Sequence, residues 1–307
     1  MNRNFTFLVN PASGVAQQTG DGYDGPGCGA GARVEVTYSP GPHAMADLLD
    51  GAMSRGDVVV SVGGDGMLSS VAGPVSRGGG TLAVLPAGRG NDFARMLGLP
   101  GDPAGQAELL LTGDVRRVDL LSLTLPGTQP RAVAGSVYAG VDARAAEIVD
   151  QARLPKKLQY PYAAVRSLAT YQPGRYLLSV DGVEREYAAA TVVVANSAYY
   201  GKGMKIAPEA AIDDGVLDVV VIEAASRLDL LRALPTVYDG AHVGRREVTV
   251  LKGKRVELQG DARHPIPLGG DGEPLGALPG LDAEPAVVEI QPGVLSVLAG
   301  SAQLPSS

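Results

Sequence analysis

Short apolar, strand-like runs recur through the first third of the chain, at Phe5–Val9, Arg33–Thr37, Val58–Val62 and Leu82–Leu85. Helical or glycine-rich segments separate them, a pattern that predicts a parallel α/β sheet. Between the second and third runs, Ala44, Leu48, Leu49 and Met53 fall near helical spacing and Gly56 follows as a stop, so a βαβ unit is expected there. After Arg116 the texture changes to closely spaced strands. Arg175–Val180 and Val183–Tyr187 flank Asp181-Gly182, a two-residue hairpin signal. An α/β unit is therefore expected over 1–118 and an antiparallel β unit over 119–291. The last apolar run, Val294–Leu298, follows Pro292-Gly293 and is placed to return 292–307 to the first unit. Two helical interruptions are expected in the β unit, Ala143–Val149 and Leu158–Thr170, the latter with Leu158, Tyr162, Val165 and Leu168 on one face.

The 307 residues, 45% hydrophobic, suffice for two domains with sizeable cores. Net charge is −7, with 26 basic against 33 acidic side chains, so there is no global basic field to collect nucleic acid or anionic lipid. Any membrane contact has to be local. Cys28 is alone, which excludes an intramolecular disulfide and suits a reducing compartment. The run Phe5–Val9 is too short for a signal-peptide core, and no apolar stretch of about 18 residues occurs, so a cytoplasmic chain is expected.

Four clusters with chemical potential sit where strands end. Asn10-Pro11-Ala12-Ser13-Gly14 follows the first run, its small residues leaving backbone N–H groups accessible to an anion. A plain turn has the same composition. Gly63-Gly64-Asp65-Gly66 follows the third run and precedes an apolar helical segment, Met67–Val75. Glycines there let phosphate approach the backbone, and the helix N-terminus supplies free donors. Asp65 is poorly placed as an anion ligand and well placed to hold Mg²⁺ beside phosphates. No Gly-Lys-Ser/Thr follows, so the loop is neither a P-loop nor the Rossmann fingerprint. The third cluster, Pro86 to Arg95, contains Gly88, Gly90 and the pair Asn91-Asp92, which suits either pocket groups or helix caps. The fourth runs from Asn196 to Asp218, and its Asp213-Asp214-Gly215 turn suits a hard cation or an Asx turn.

Taken in this order, the four clusters resemble the diacylglycerol kinase family of bacterial soluble lipid kinases, whose catalytic domain is shared with sphingosine and ceramide kinases. The likeness runs from about Asn10 to Glu273 and rests on the Gly-Gly-Asp-Gly loop, Asn91-Asp92-Phe93-Ala94-Arg95 and Asp213-Asp214-Gly215-x-Leu217-Asp218. It implies an α/β plus β fold, with an NAD-kinase-like nucleotide-binding domain and a C-terminal antiparallel β-sandwich. It also implies transfer of the γ-phosphate of ATP to a lipid hydroxyl, with diacylglycerol as default acceptor. By position, the resemblance assigns ATP contacts to Asn10, Pro11, Ala12, Ser13, Gly14, Ser39, Gly63, Gly64, Asp65, Gly66, Met67, Leu68, Ser69, Arg89 and Asn91. Asp65 and Asp92 would organise Mg²⁺–ATP. A second, structural Mg²⁺ falls to Asp214 with the carbonyls of Ala211 and Val216. The catalytic base falls to Glu273 in Asp271-Gly272-Glu273, which by itself reads as a hairpin turn with a solvated glutamate. The implied partners are ATP and a lipid at the inner membrane face, with a homodimer as a further expectation.

The chain departs from the family where Met67 and Arg89 stand in place of the usual threonines, and no Lys or Arg occurs between Gly14 and Arg33. Arg95, Arg144, Lys156, Lys157, Arg166, Lys202 and Lys205 are the other anion-contact candidates. These departures leave open a catalytically impaired nucleotide- or lipid-binding regulator; the shared Gly-Gly-Asp-Gly loop also leaves open an NAD kinase-like enzyme, against which stands the Asn91–Arg95 run, more typical of the lipid branch.

Overall fold

A computed structural model describes residues 3–10, 33–39, 42–88, 90–151, 159, 162–163, 166–167, 170–261 and 264–300. Strands β1 (Phe5–Val9), β2 (Val34–Tyr38), β3 (Val58–Gly63) and β4 (Thr81–Pro86) pair in parallel in the order β2-β1-β3-β4. Strand β3 is buried along its whole length, as its run of valines requires. Helix α1 (Pro42–Ser54) follows β2 and ends before Gly56, which adopts φ +73°. It buries Met45, Leu49 and Ala52 and packs Leu48 and Met53 against the same core, so of the residues at helical spacing only Ala44 faces solvent. Helix α2 (Asp65–Arg77) follows β3 and buries Met67, Leu68, Val71 and Val75. Two short helices, α3 (Asp92–Met96) and α4 (Pro103–Thr112), complete this unit.

Strand β5 (Asp114–Thr124) follows, then β6 (Arg131–Val133), β7 (Ser136–Gly140) and helix α5 (Val141–Gln151). The hairpin of β8 (Gly174–Val180) and β9 (Val183–Ala195) turns at Asp181 and Gly182, whose φ values of +49° and +85° make it the primed turn the dipeptide predicts. Strand β10 (Leu217–Glu223) leads to helices α6 (Arg227–Ala233) and α7 (Thr236–Asp239). Strands β11 (Val248–Gly253), β12 (Arg255–Gly260), β13 (Pro267–Gly270) and β14 (Glu273–Ala277) follow, and β15 (Ala286–Ala299) is last. The order β14-β13-β7-β9-β8-β12-β15 is antiparallel throughout. The expected helix 158–170 lies largely outside the described residues.

Strand β15 serves both units. Residues 286–289 pair with β12, while Ser296 and Val297 pair in parallel with Thr81 and Leu82 of β4. Its pairing with β5 shifts register between Gln291 and Leu295, around Pro292-Gly293. The transition expected near Asp119 falls inside β5, which stays bonded to β15 across it. Asp119 is buried there, and its carboxylate accepts from Gly215 N at 2.7 Å and Gly293 N at 2.6 Å. One hydrophobic core gathers Leu8, Leu49, Val59, Leu68, Leu82 and Leu295; another gathers Leu121, Val137, Tyr176, Val192, Leu258 and Val288. Among the described residues no helix is long and apolar enough to cross a membrane.

Candidate active site

Two glycine loops lie side by side at the ends of β3 and β4. A Cβ on Gly88 would overlap Gly64 Cα, so the approach requires glycine at 88. Ala87 N donates to Gly63 O at 2.9 Å, and Asn91 exchanges two 3.0 Å hydrogen bonds with the backbone of Gly88. Asn91 itself has φ +53° and makes no side-chain cap to α3, so its amide closes the loop instead. Asn10 joins this edge through its N–H to Val62 O at 3.1 Å, and Ser39 N donates to Val9 O at 2.9 Å.

Two carboxylates face each other across Gly90, where a Cβ would lie 2.9 Å from Asp65 Oδ2 and 3.2 Å from Asp92 Oδ2. Asp65 Oδ1 accepts from Phe93 N at 3.1 Å. Asp92 accepts from Gly203 N at 2.7 Å and Lys202 N at 2.9 Å, which ties the third cluster to the fourth. Burial, and then the charge of Asp65, hold the Asp92 carboxyl above its usual range.

The β13–β14 turn enters from the second unit. Asp271 and Gly272 adopt φ +48° and +87°, and the next residue, Glu273, starts β14. Asp271 Oδ2 accepts from the Ser69 hydroxyl and from Ala134 N at 2.7 Å; Oδ1 accepts from Gly135 N at 2.9 Å and Ser136 N at 3.0 Å. Burial pushes this carboxyl up, and the four donors pull it part of the way back. Gly272 N donates to the Tyr138 hydroxyl at 3.0 Å. Glu273 Oε1 lies 3.5 Å from where a Gly66 Cβ would be, and Oε2 pairs with Arg131 at 2.7 Å. The candidate base thus stands over the first turn of α2.

A cavity of about 800 Å³ connects these parts. Gly64, Asp65, Gly66, Asp92 and Glu273 line one end; Val141 and Val149 of α5, with Ile206, Leu230, Leu234 and Val237, line the other. Between them stand Tyr138, Tyr200, Thr191 and Asp142. Asp142 accepts from Thr191 Oγ1 at 2.8 Å, and burial holds its carboxyl above the usual range. One cavity therefore offers phosphate-sized glycine loops at one end and an apolar slot at the other.

Residues 4–123 match the family model of the diacylglycerol kinase catalytic domain, and residues 135–299 match that of the YegS C-terminal NAD kinase beta sandwich-like domain. A diacylglycerol kinase from Mycobacterium tuberculosis is 30% identical over 260 residues, covering 83% of this chain and 84% of that one. The chain belongs to the diacylglycerol kinase family. A diacylglycerol kinase from Bacillus subtilis is 27% identical over 210 residues, 65% of each chain. The crystal structure of a diacylglycerol kinase from Bacillus anthracis superposes with a TM-score of 0.70 at 19% identity, covering 98% of both chains. The chain is accordingly a lipid kinase, with the two-domain fold the resemblance implied and ATP as the co-substrate of its family.

Pro11, Ala12, Ser13, Gly14, Arg89, Lys156 and Lys157 lie outside the described residues. The Met67 and Leu68 side chains are packed in the first core, Leu68 also lining the cavity, and both backbone N–H groups donate to Gly64 O at 3.1 Å. Ser69 lines the cavity, but its hydroxyl is engaged by Asp271. Among the described residues no three His, Cys, Asp or Glu side chains converge as a metal site. A pair of carboxylates such as Asp65 and Asp92 nevertheless suits Mg²⁺, which completes its shell with phosphate and water oxygens.

The 211–218 turn does not line the cavity. Asp213 pairs with Arg116 at 2.9 Å, and Asp214 Oδ1 accepts from Val216 N at 3.0 Å in the Asx-turn manner. Asp218 is buried beside Lys252 at 3.5 Å, its Oδ2 has no hydrogen-bond partner among the described residues, and the Asp214 charge helps to raise its carboxyl after burial does. An orphaned buried carboxylate oxygen beside a second carboxylate fits a cation here. Sequence reasoning missed Arg131, Tyr138 and Asp142, which sit on ordinary strands or a helix start and carry no motif of their own.

Proposed function

We propose that the chain transfers the γ-phosphate of ATP to the hydroxyl of diacylglycerol, giving phosphatidic acid and ADP. The observation that carries this reading is the single cavity that joins the Gly64–Gly88 loops, Glu273 and an apolar slot. In this reading the phosphates of ATP lie on the loops around Gly63–Gly66 and Gly88–Asn91, with Asn10 and Ser39 at the adjoining edge. Asp65 and Asp92 would hold Mg²⁺, which supplies charge neutralisation to the phosphate oxygens. The acyl chains occupy the slot walled by α5 and α6, as expected of a site with few orienting polar groups. Glu273 accepts the proton of the lipid hydroxyl, the oxygen forms its bond to γ-phosphorus, and the bond from γ-phosphorus to the bridging oxygen breaks to release ADP.

We take the units to divide as 1–118 and 119–291, with 292–307 returning to the first; the pairing of β15 with β4 supports the return. The second Mg²⁺, at Asp214 with the carbonyls of Ala211 and Val216, belongs to the same reading and is supported by the orphaned Asp218 oxygen. The chain works at the inner membrane face, where its acceptor resides. Incubation with γ-labelled ATP and a total lipid extract, followed by identification of the labelled product, tests the whole proposal. Labelled phosphatidic acid is expected. Label in a different lipid overturns the acceptor, and labelled NAD phosphate from a parallel incubation with NAD, with no labelled lipid, overturns the reaction.

A further inference from the structure

We propose that the outer face of α6 and α7 is the surface on which the chain docks to an anionic lipid bilayer, an inference that rests on the lipid-acceptor reading above. Helix α6 is apolar on two sides. Leu230 and Ala233 line the cavity, whereas Leu228 and Leu231 are 55% and 40% exposed. The latter pair is three residues apart and so shares one side of the helix. No residue of α6 is buried, so the helix is a thin wall between the apolar slot and the outside. Tyr238 of α7 both lines the cavity and is 56% exposed, which puts it at the rim.

Single exposed leucines need no explanation. A leucine pair on the outer side of a cavity wall, beside a rim tyrosine, is the pattern of an interfacial helix that inserts its apolar side at the headgroup boundary. Charge agrees. Residues 227–247 carry four arginines (Arg227, Arg232, Arg245, Arg246) against three carboxylates (Asp229, Asp239, Glu247) in a chain of net charge −7. The Arg232 and Arg246 side chains are 67% and 92% exposed and pair with Asp229 at 3.7 Å and Glu247 at 2.8 Å, so the segment carries a net +1 while the rest of the chain carries −8. An anionic leaflet repels the acidic remainder and attracts this arginine-bearing rim, so docking orients the slot toward the membrane. A second copy of the chain is a poorer occupant. Two leucines and a tyrosine supply a few hundred Å² at most, against the roughly 800 Å² per partner of a stable interface.

The test is binding of the full chain to vesicles of phosphatidylcholine with about 30% phosphatidylglycerol, in the absence of ATP and of any acceptor. Wild type is expected to co-sediment, and Leu228→Glu/Leu231→Glu to lose at least roughly tenfold in partitioning with an unchanged circular-dichroism melt. Should that variant fail to fold, Leu231→Trp takes its place. The chain contains no tryptophan, so this is a single reporter, expected to shift to the blue and to be quenched by brominated acyl chains. Equal binding of the double glutamate variant, no binding of wild type, or an unshifted and unquenched Leu231→Trp each overturns the proposal. So does a wild-type dimer that the glutamates dissociate. Because the assay contains no reaction, a chain that docks yet phosphorylates no lipid overturns the acceptor reading and leaves the surface standing.

Discussion

The hydroxyl of Ser69, in the second turn of α2, donates to the carboxylate of Asp271 at the β13–β14 turn, so a residue of the phosphate-loop helix is bonded directly to the turn that carries Glu273. The two residues are 202 positions apart in the chain. Ser69→Ala removes one of the four donors to that carboxylate and is expected to cost about 1 kcal/mol of stability. Turnover should fall several-fold more than ATP affinity, as read from kcat and from nucleotide titration. Asp271→Asn sets an amide N–H₂ against backbone N–H donors and should cost more, about 1–3 kcal/mol. Urea midpoints equal to wild type for both variants would show the bond to be idle.

Asp65 and Asp92 are expected to act as a pair. Asp65→Asn should nearly abolish turnover without unfolding the chain, and wild-type turnover with wild-type Mg²⁺ dependence would remove it from the site. Asp92 adds a pH signature. Its carboxyl is raised by burial and by Asp65, so between the ordinary value of 3.8 and the raised one the unfolded chain has lost a proton that the folded chain keeps. Stability without metal therefore falls as pH rises through that window, and is flat above it. In Asp92→Asn this contribution is absent, so the Tm difference should move in the variant's favour as pH rises from about 4, measured by calorimetry in chelator.

Asp214→Ala is expected to lower activity and to remove the part of the Tm that depends on Mg²⁺, because an ion bound only to the folded state stabilises it by mass action. The check is a thermal melt of wild type and variant with and without Mg²⁺. Identical midpoints in all four samples would reduce the turn to its Asx geometry, with Asp214 Oδ1 on Val216 N.

Glu273→Gln should reduce kcat by about 10²–10⁴-fold, the usual loss of a general base. ATP affinity should survive, since the substitution keeps size and polarity and the glycine loops belong to the other unit. The ion pair with Arg131 is 45–51% exposed, so its loss carries little stability and the melt should hardly move. A variant within a few-fold of wild-type kcat leaves the base unassigned.

The parallel α/β sheet was legible because β3 is a valine-rich run, buried throughout, and turn residues such as Asn10, Gly63 and Pro86 stand at the strand ends. The Asp181-Gly182 hairpin was legible because few other dipeptides accept two positive φ angles. Both signals are local: steric preference and hydrophobic periodicity act within about ten residues, and a reader of the chain meets them directly. The same locality found Leu48, Leu49 and Met53 of α1, all of which pack on the core, but not Met45 and Ala52, which packing adds beside them while Ala44 stays in solvent.

The site divides in the same way. Gly63-Gly64-Asp65-Gly66 and Asp271-Gly272-Glu273 stand out as strings of residues, because close backbone approach and sharp turns demand glycine at set positions. That Gly64 rests on Gly88, that Asp65 faces Asp92 across Gly90, and that Ser69 bonds Asp271 belong to the tertiary structure alone. So do the ion pair of Arg131 with Glu273 and the placing of Asp142 on the cavity wall. Their physical reason is pairing at long range: β15 closes against both β4 and β12, and only that closure brings turns from the two ends of the chain to one cavity. Backbone preference names the residues that make tight turns; which turns meet is decided by how the sheet closes.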